Sequence, residues 1–366
     1  MHQSKDSLGP APRALGDWFA SNRRALPWRT PHGTPRDPWK TLVSEVMSQQ
    51  TRLEVVVPRF EEWMRLFPTP RDLADATEES ALSAWAGLGY YSRARNLRRA
   101  AAVVATVGWP KSAGDLAALP GVGPYTAAAI ASLCLGEDVA MVDGNAIRVF
   151  SRLHALESDP RTGPGARQIA EIASRWISDG DAGTVNEATM ELGALVCTPR
   201  NPDCASCPLS EICQAASRGD PGRFPAPRSR PETFLVRRTA VVVREDRGIL
   251  LRRAGSDELL PGLWILPSAG DHVDLTVSGS AVGEVRHAIT HHDVRWTVVE
   301  GRWTGRNLPD SWLWCPVREL GERIVSSLPR KALALAGIAL AGIRVQAPAA
   351  GRRGGERPSN GLDADP

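Results

Sequence analysis

Four cysteines stand close together in CTPRNPDCASCPLSEIC: Cys197, Cys204, Cys207 and Cys213, spaced C-x6-C-x2-C-x5-C. Thiols gathered this tightly in a reducing compartment imply a metal centre rather than disulfides, and the spacing alone leaves tetrathiolate zinc and a [4Fe–4S] cluster both open. Cys134 and Cys315 stand apart and read as buried hydrophobes. A second run, LPGVGPYTAAAIASLCLGEDVAMVDGN, opens on the turn Gly121 to Gly123 with Pro124 pre-set for a first helical position. Backbone N–H groups at such a helix start suit a phosphate. The run then delivers Asp143 to the start of another helix, where Asp143-Gly144-Asn145 is a natural N-cap and the local donors and dipole favour a carboxylate. A plain helix connector and cap is the simpler reading of the same residues. Amine chemistry has little to draw on, since lysine occurs only at Lys5, Lys40, Lys111 and Lys331.

The elements that must position these groups are mostly helices. At 366 residues and a net charge of +3, the chain is long enough for two or more domains with their own cores. Residues 13–30 read as a helix followed by the turn LPWR. From Trp39 to Gln50 the residues Trp39, Leu42, Val43, Val46 and Met47 make one apolar stripe at helical spacing. Glu45 lies away from that stripe, so spacing alone makes it a solvated side chain. Gln49-Gln50-Thr51 closes the helix on amides able to hydrogen-bond a partner. Further helices are expected over Val55 to Phe67, Leu82 to Trp85 and Ser92 to Val107, then in two segments between 166 and 196. GLGYYSRARN sets Tyr90 and Tyr91 among Arg93, Arg95 and Asn96. That grouping suits base stacking and phosphate contact as well as an ordinary helix cap. Residues 218–235 are rich in Pro and Arg and read as a linker, after which strands are expected at Thr239 to Val243, Gly248 to Arg252, Ala281 to Val285 and Val294 to Val299. The fold expected is multi-domain: an all-α part over 1–217, an α+β part over 236–345 and a polar, disordered tail over 346–366. No secretory segment is evident, and the apolar run Ala332 to Ile343 is too short to span a bilayer, so a cytoplasmic protein away from the membrane is expected.

Taken together, SEVMSQQT, GLGYYSRARN, LPGVGPYTA, VDGN and the cysteine run resemble the helix-hairpin-helix DNA glycosylases that carry an iron–sulfur cluster, and within them the MutY-type adenine DNA glycosylases. The match runs in order over nearly all of residues 13–345, and it selects [4Fe–4S] over zinc.

The resemblance implies a set of roles. The substrate is duplex DNA with adenine mispaired with 8-oxoguanine or guanine, the adenosine being flipped out of the stack by a monomeric enzyme. Glu45 corresponds to the general acid, Asp143 to the carboxylate facing the sugar cation, Tyr125 to an assisting tyrosine and Asn145 to an orienting amide. Gln50 and Tyr90 correspond to side chains that wedge into the duplex, and Gly121 and Gly123 belong to the phosphate-binding turn. Trp28, Arg29 and Glu187 correspond to the adenine pocket. The C-terminal part resembles the family's Nudix-like 8-oxoguanine-recognition domain, with GLWILP at 262–267 as its strand-end motif. It has no Nudix box, so pyrophosphate hydrolysis is not expected. Thr290 and His291 stand in the recognition loop, although Ile289 replaces the usual aromatic and Ser48 a common leucine. An endonuclease III-type glycosylase/lyase would need a lysine amine where Tyr125 stands. A lesion-binding protein without activity would have no need of both carboxylates.

Overall fold

The structure, a computed structural model, describes residues 10–31, 34, 36–178, 181–226 and 232–340. The centre of the expected linker and the whole of the expected tail lie outside the described residues.

Helices α1 (Pro10–Asn22), α2 (Pro38–Ser48), α3 (Leu53–Leu66), α4 (Pro70–Asp75), α5 (Glu78–Ala84), α6 (Ser92–Val107), α7 (Ala113–Leu116) and α8 (Pro124–Ile130) come first. α1 stops eight residues short of the expected Thr30. Leu26 precedes Pro27, and a residue before proline is disfavoured in helical conformation. α2 starts on Pro38 behind an Asp37 cap, the carboxylate accepting from the Trp39 amide at 2.8 Å. Its stripe, with Trp39, Leu42, Val43 and Met47 all buried, packs with Phe60, Trp63 and Trp85 into the first core. Each such side chain contributes roughly 1.5–3 kcal/mol through its burial.

α7 and α8 form a helix–hairpin–helix. Gly121 sits at φ +76°, and a Cβ there would lie 2.5 Å from Cβ of Asn96, so glycine is needed on both counts. After a π-helical turn over Ala131–Leu135 come α9 (Gly144–Leu153), α10 (Gly163–Ile177) and α11 (Ala182–Leu195), which with α1 enclose a separate helical core around Phe19, Phe150, Ile169 and Leu192. The cysteine run follows, ending at α12 (Gln214–Ser217).

Beyond residue 231 the chain turns to strands: β1 (Phe234–Val242), β2 (Arg244–Glu245), β3 (Gly248–Arg253), β4 (Trp264–Ile265), β5 (Leu275–Ile289), β6 (His292–Trp303) and β7 (Trp312–Cys315). One sheet has the order β1-β6-β5, with β1 parallel and β5 antiparallel to β6. In the other, β3 pairs with β2, β4 and β7. β5 is far longer than expected because it is an exposed edge strand, broken by register shifts between Val277 and Gly283, and lacks clean alternation. Short α13 (Leu320–Arg323) and α14 (Ser327–Leu335) close the second core. Residues 266–274 join β4 directly to β5 with no helix between them.

The halves share apolar surface. Leu263 and Val325 complete the first helical core, and the Tyr91 hydroxyl donates to the Val325 carbonyl at 2.7 Å. Among the described residues no helix is long and apolar enough to cross a membrane.

Candidate active site

The two helical bundles meet at a cavity of about 740 Å³ lined by Trp28, Arg29, Glu45, Gln50, Tyr125, Asp143, Asn145 and Glu187. Eight residues singled out from the sequence thus come together from the α1–α2 connection, α2, α8, α9 and α11.

Glu45 is where the outer-face expectation fails. Helical spacing does turn it away from the α2 core, but Tyr125 on α8 and Glu187 on α11 cover that side, and only the cavity reaches it. Burial pushes its carboxyl up to about 7; a hydrogen bond with Tyr125 opposes this, while Glu187 and Asp143 reinforce it. The Tyr125 hydroxyl also lies 3.4 Å from Met190 Sδ, and burial followed by the charge of Glu45 raises its own pKa.

Asp143 caps α9. Its Oδ1 accepts from the amides of Asn145 (2.8 Å) and Ala146 (2.7 Å), and its Oδ2 from Asn145 Nδ2 (2.8 Å). Asn145 is held in turn by Arg148 Nη2 at 2.8 Å on its Oδ1. α11 can approach this closely because Gly193 faces Asn145, where a Cβ would sit 2.6 Å from the asparagine Cβ. Capping and chemistry coincide in one carboxylate. The site therefore pairs an acid that stays protonated to near neutrality with a carboxylate fixed by three N–H donors, an arrangement able to protonate a leaving group and face a cation.

A buried ion network forms one wall. Arg29 Nε donates to Glu187 at 3.1 Å, Arg36 pairs with the other Glu187 oxygen, and Arg24 and Arg29 both bind Glu191 at 2.8 and 3.0 Å. Burial raises Glu191, but the hydrogen bonds from Arg24 and Arg29 prevail and hold it at about 2. Arg24, Arg36, Glu191, Met141 and Met190 were not singled out from the sequence. Their partners are distant in the chain, and the only local signal was the arginine density near LPWR. Trp28 is braced edge-on by Phe60 at 5.1 Å.

A second cavity of about 380 Å³ lies between the halves, lined by Tyr90, Leu260, His287, Ile289 and Thr290 among others. Tyr90 is 42 % exposed while Tyr91 is buried, so the tyrosine pair splits into a surface residue and a core residue. Thr290 sits in the tight turn joining β5 to β6, at φ +53°, and Ile289 packs on the second core. His291 is exposed and lines neither cavity. Gly121 and Gly123 are exposed outside both cavities, and the α8 start at Gly123 has no side-chain cap.

Arg93 and Arg95, which the GLGYYSRARN grouping offered for phosphate contact or for a helix cap, are engaged within the protein, as is Arg98 on the same helix. Arg93 is spent on backbone carbonyls and burial lowers it to about 10, Arg95 pairs with Glu78 at 2.8 Å, and Arg98 Nε donates to the Ala76 carbonyl at 2.7 Å.

The four cysteines converge beyond the end of α11. Burial and then mutual repulsion raise the Cys204 thiol, and burial leads again in raising Cys207 to about 11. Buried Arg152 donates to Cys197 Sγ at 3.3 Å and to the carbonyls of Thr198 and Phe224, while Arg148 binds the Cys197 carbonyl at 2.7 Å. Thiols that repel one another around a buried guanidinium fit an anionic iron–sulfur group that takes them as thiolates. Among the described residues no three Cys, His, Asp or Glu side chains are drawn close enough for a single metal ion.

The chain is similar to known DNA repair proteins. The family model described as HhH-GPD superfamily base excision DNA repair protein matches residues 43–178, and the iron–sulfur binding domain of endonuclease III matches 197–213. The fold resembles a solved thermostable thymine-DNA glycosylase at 26 % identity and a TM-score of 0.51, over 57 % of this chain and 95 % of that one. An adenine DNA glycosylase of Arabidopsis thaliana is 35 % identical over 69 % of this chain, which spans 46 % of that relative, and the human one is 41 % identical over 56 % of this chain and 39 % of its own length. The chain therefore spans less than half the length of these eukaryotic relatives. The adenine DNA glycosylase of Mycolicibacterium smegmatis is 38 % identical over 66 % of this chain and 79 % of its own length. With that similarity, a helix–hairpin–helix beside the cavity and an iron–sulfur loop behind it, the chain belongs to the adenine DNA glycosylase family.

Proposed function

We propose that the protein hydrolyses the N-glycosidic bond of adenine mispaired with 8-oxoguanine or guanine in duplex DNA. The observation that carries this reading is the pairing of Glu45, pushed up to about 7, with the donor-bound carboxylate of Asp143 in one cavity. An adenosine flipped from the stack enters between Trp28 and the Arg29–Glu187 wall. Glu45 gives its proton to a ring nitrogen of the base, and the glycosidic electron pair leaves with adenine. The positive charge left on the sugar faces Asp143, which Asn145 orients. Water then adds to the sugar and returns a proton to Glu45, so one water is consumed and the acid is regenerated. General acid catalysis of this kind is worth about 10²–10⁴-fold. Tyr125 holds Glu45 by its hydroxyl. No lysine lines the cavity among the described residues, which favours plain hydrolysis over a lyase step through a Schiff base.

Residues 1–217 serve as the glycosylase unit. Cys197, Cys204, Cys207 and Cys213 hold the iron–sulfur group as [4Fe–4S], which anchors the loop carrying exposed Arg200 against phosphate. Residues 236–345 act as a Nudix-like lesion reader, a reading supported by the mixed sheet of β1, β6 and β5 although the β4–β5 connection lacks a helix. Tyr90 and Thr290 line the second cavity for the base opposite adenine, while exposed His291, next in the chain, stands outside that lining. Gln50 guards the first cavity, and the turn at Gly121 and Gly123 offers its amides to phosphate. The enzyme works as a monomer in the cytoplasm, one chain supplying both cavities. Duplexes carrying A·8-oxoguanine, A·G or thymine glycol, incubated with and without alkali, test the reading. Strand scission only after alkali, and only with the two adenine mispairs, supports it; scission at thymine glycol without alkali overturns it.

A further inference from the structure

Arg93, in the first turn of α6, lies between the two cavities and holds both of their exposed probes by the backbone. Its Nη1 donates to the carbonyls of Val46 (2.7 Å), Met47 (3.2 Å) and Gln49 (2.6 Å). Its Nη2 donates to the carbonyls of Leu88 (2.9 Å) and Gly89 (3.2 Å) and to the Thr51 hydroxyl (3.4 Å). The guanidinium carbon also lies 5.4 Å from the ring centres of both Trp85 and Tyr90. No carboxylate pairs with it among the described residues. It serves two loops that are otherwise separate in the chain.

Two of its bonds have a special place. Gln50 and Tyr90 are non-glycine residues in the left-handed region, at φ +55° and +46°. Such a conformation persists only where the surroundings fix it, and it marks positions held for a purpose. The carbonyls that Arg93 grips at Gln49 and Gly89 belong to the peptides directly before those two residues. Gln50 stands at the mouth of the first cavity and Tyr90 at the mouth of the second. The Val46 and Met47 bonds tie the same guanidinium to the last turn of α2, one residue beyond Glu45.

We propose that Arg93 is a positioning residue that locks Gln50 and Tyr90 into one rigid pair of probes, so that engagement of the base at the second cavity and extrusion of the adenosine into the first occur as a single coupled event. The inference rests on the reading of the first cavity as the adenine site. Lysine keeps the charge and stem but has no planar fork, so it cannot span two loops at once.

The test uses the full chain, with Arg93→Lys, Arg93→Met, Tyr90→Ala and the Arg93→Lys/Tyr90→Ala pair. The readouts are unstacking, by fluorescence of 2-aminopurine in place of the target adenine, and single-turnover excision on an A·8-oxoguanine duplex. Arg93→Lys is expected to melt cooperatively, to unstack and excise about tenfold more slowly, and to keep the wild-type pH dependence, since Glu45 is untouched. Arg93→Met is expected to lose more. In the Tyr90→Ala background Arg93→Lys is expected to cost less than about twofold, because residues acting through one another are not additive. Wild-type unstacking in Arg93→Lys, or a full tenfold loss persisting without Tyr90, overturns the proposal, as does failure of every Arg93 variant to fold, which would make Arg93 a residue of the core alone. Absence of excision by the unaltered chain would instead remove the adenine reading, with unstacking still reporting on the lock.

Discussion

Glu45 draws its proton affinity from position alone: α2 turns it away from one core and α8 and α11 close over it. That yields two outcomes with opposite readouts. Glu45→Gln is expected to bind and unstack adenine while losing about 10²–10⁴-fold in excision, because an amide cannot release the proton; loss of duplex binding in place of rate would contradict this. The same substitution is expected to stabilise the protein in alkali. The folded carboxyl titrates near 7 against an ordinary 4.5, so its contribution is intact below pH 4.5 and is lost as pH rises through 7. Melting at pH 8 should favour Glu45→Gln by up to ~3 kcal/mol, with no difference at pH 4. Asp143→Asn differs, since the amide keeps one acceptor for the cap but presents no charge to the sugar cation. Excision is expected to fall, with a modest drop in melting stability of about 1 kcal/mol, because the new amide meets Asn145 Nδ2 donor to donor. The capping by Asp143 was legible from VDGN, because a cap is a local feature. The burial of Glu45 was not, because periodicity reports which face a residue occupies and not what covers that face.

Among the elements, those with local punctuation were readable. α6 runs from Ser92 to Val107 as expected, ended by Gly108 at φ +83°. α1 ran short at a proline signal, and β5 was underestimated because an exposed, bulged edge strand lacks the alternation that marks a buried one. The ion network of Arg24, Arg29, Arg36, Glu187 and Glu191 joins residues more than a hundred positions apart, such as Arg24 and Glu191 with a separation of 167, and no local pattern announces it. The cysteine loop is an element with its own test. Cys204→Ala is expected to lose iron and inorganic sulfide together and to open residues 197–226 to protease, while α2 and α8 stay protected. Full iron content in that variant would mean that Cys204 is not a ligand. The phosphate footprint also moves. With Arg93, Arg95 and Arg98 already engaged, exposed Arg52 at the cavity and exposed Arg200 in the cluster loop have no side-chain partner among the described residues, and Arg200→Ala is expected to lower the log–log salt slope of DNA binding by about 0.9.

At the scale of the whole molecule, the halves are joined by a shared core as well as a linker. Removing residues 230–366 would strip Leu263 and Val325 from the helical core and orphan the Tyr91 hydroxyl, so truncation tests stability before selectivity. Thr290→Val is the cleaner probe of the second cavity. It keeps the volume and removes one hydroxyl, and is expected to reduce the preference for 8-oxoguanine over guanine by about threefold to tenfold, the worth of one hydrogen bond. The order of parts, helices with a hairpin, four thiols and then strands, was legible throughout. The meeting of Glu45 with Asp143 across two bundles needed the three-dimensional fold. The measurement that bears most directly on it is single-turnover excision from an A·8-oxoguanine duplex between pH 5 and 9. A rate level in acid that falls about tenfold per pH unit above roughly 7, and is lost in Glu45→Gln, is the predicted result. A rate that stays flat through pH 7, or survives Glu45→Gln undiminished, would contradict Glu45 as the acid.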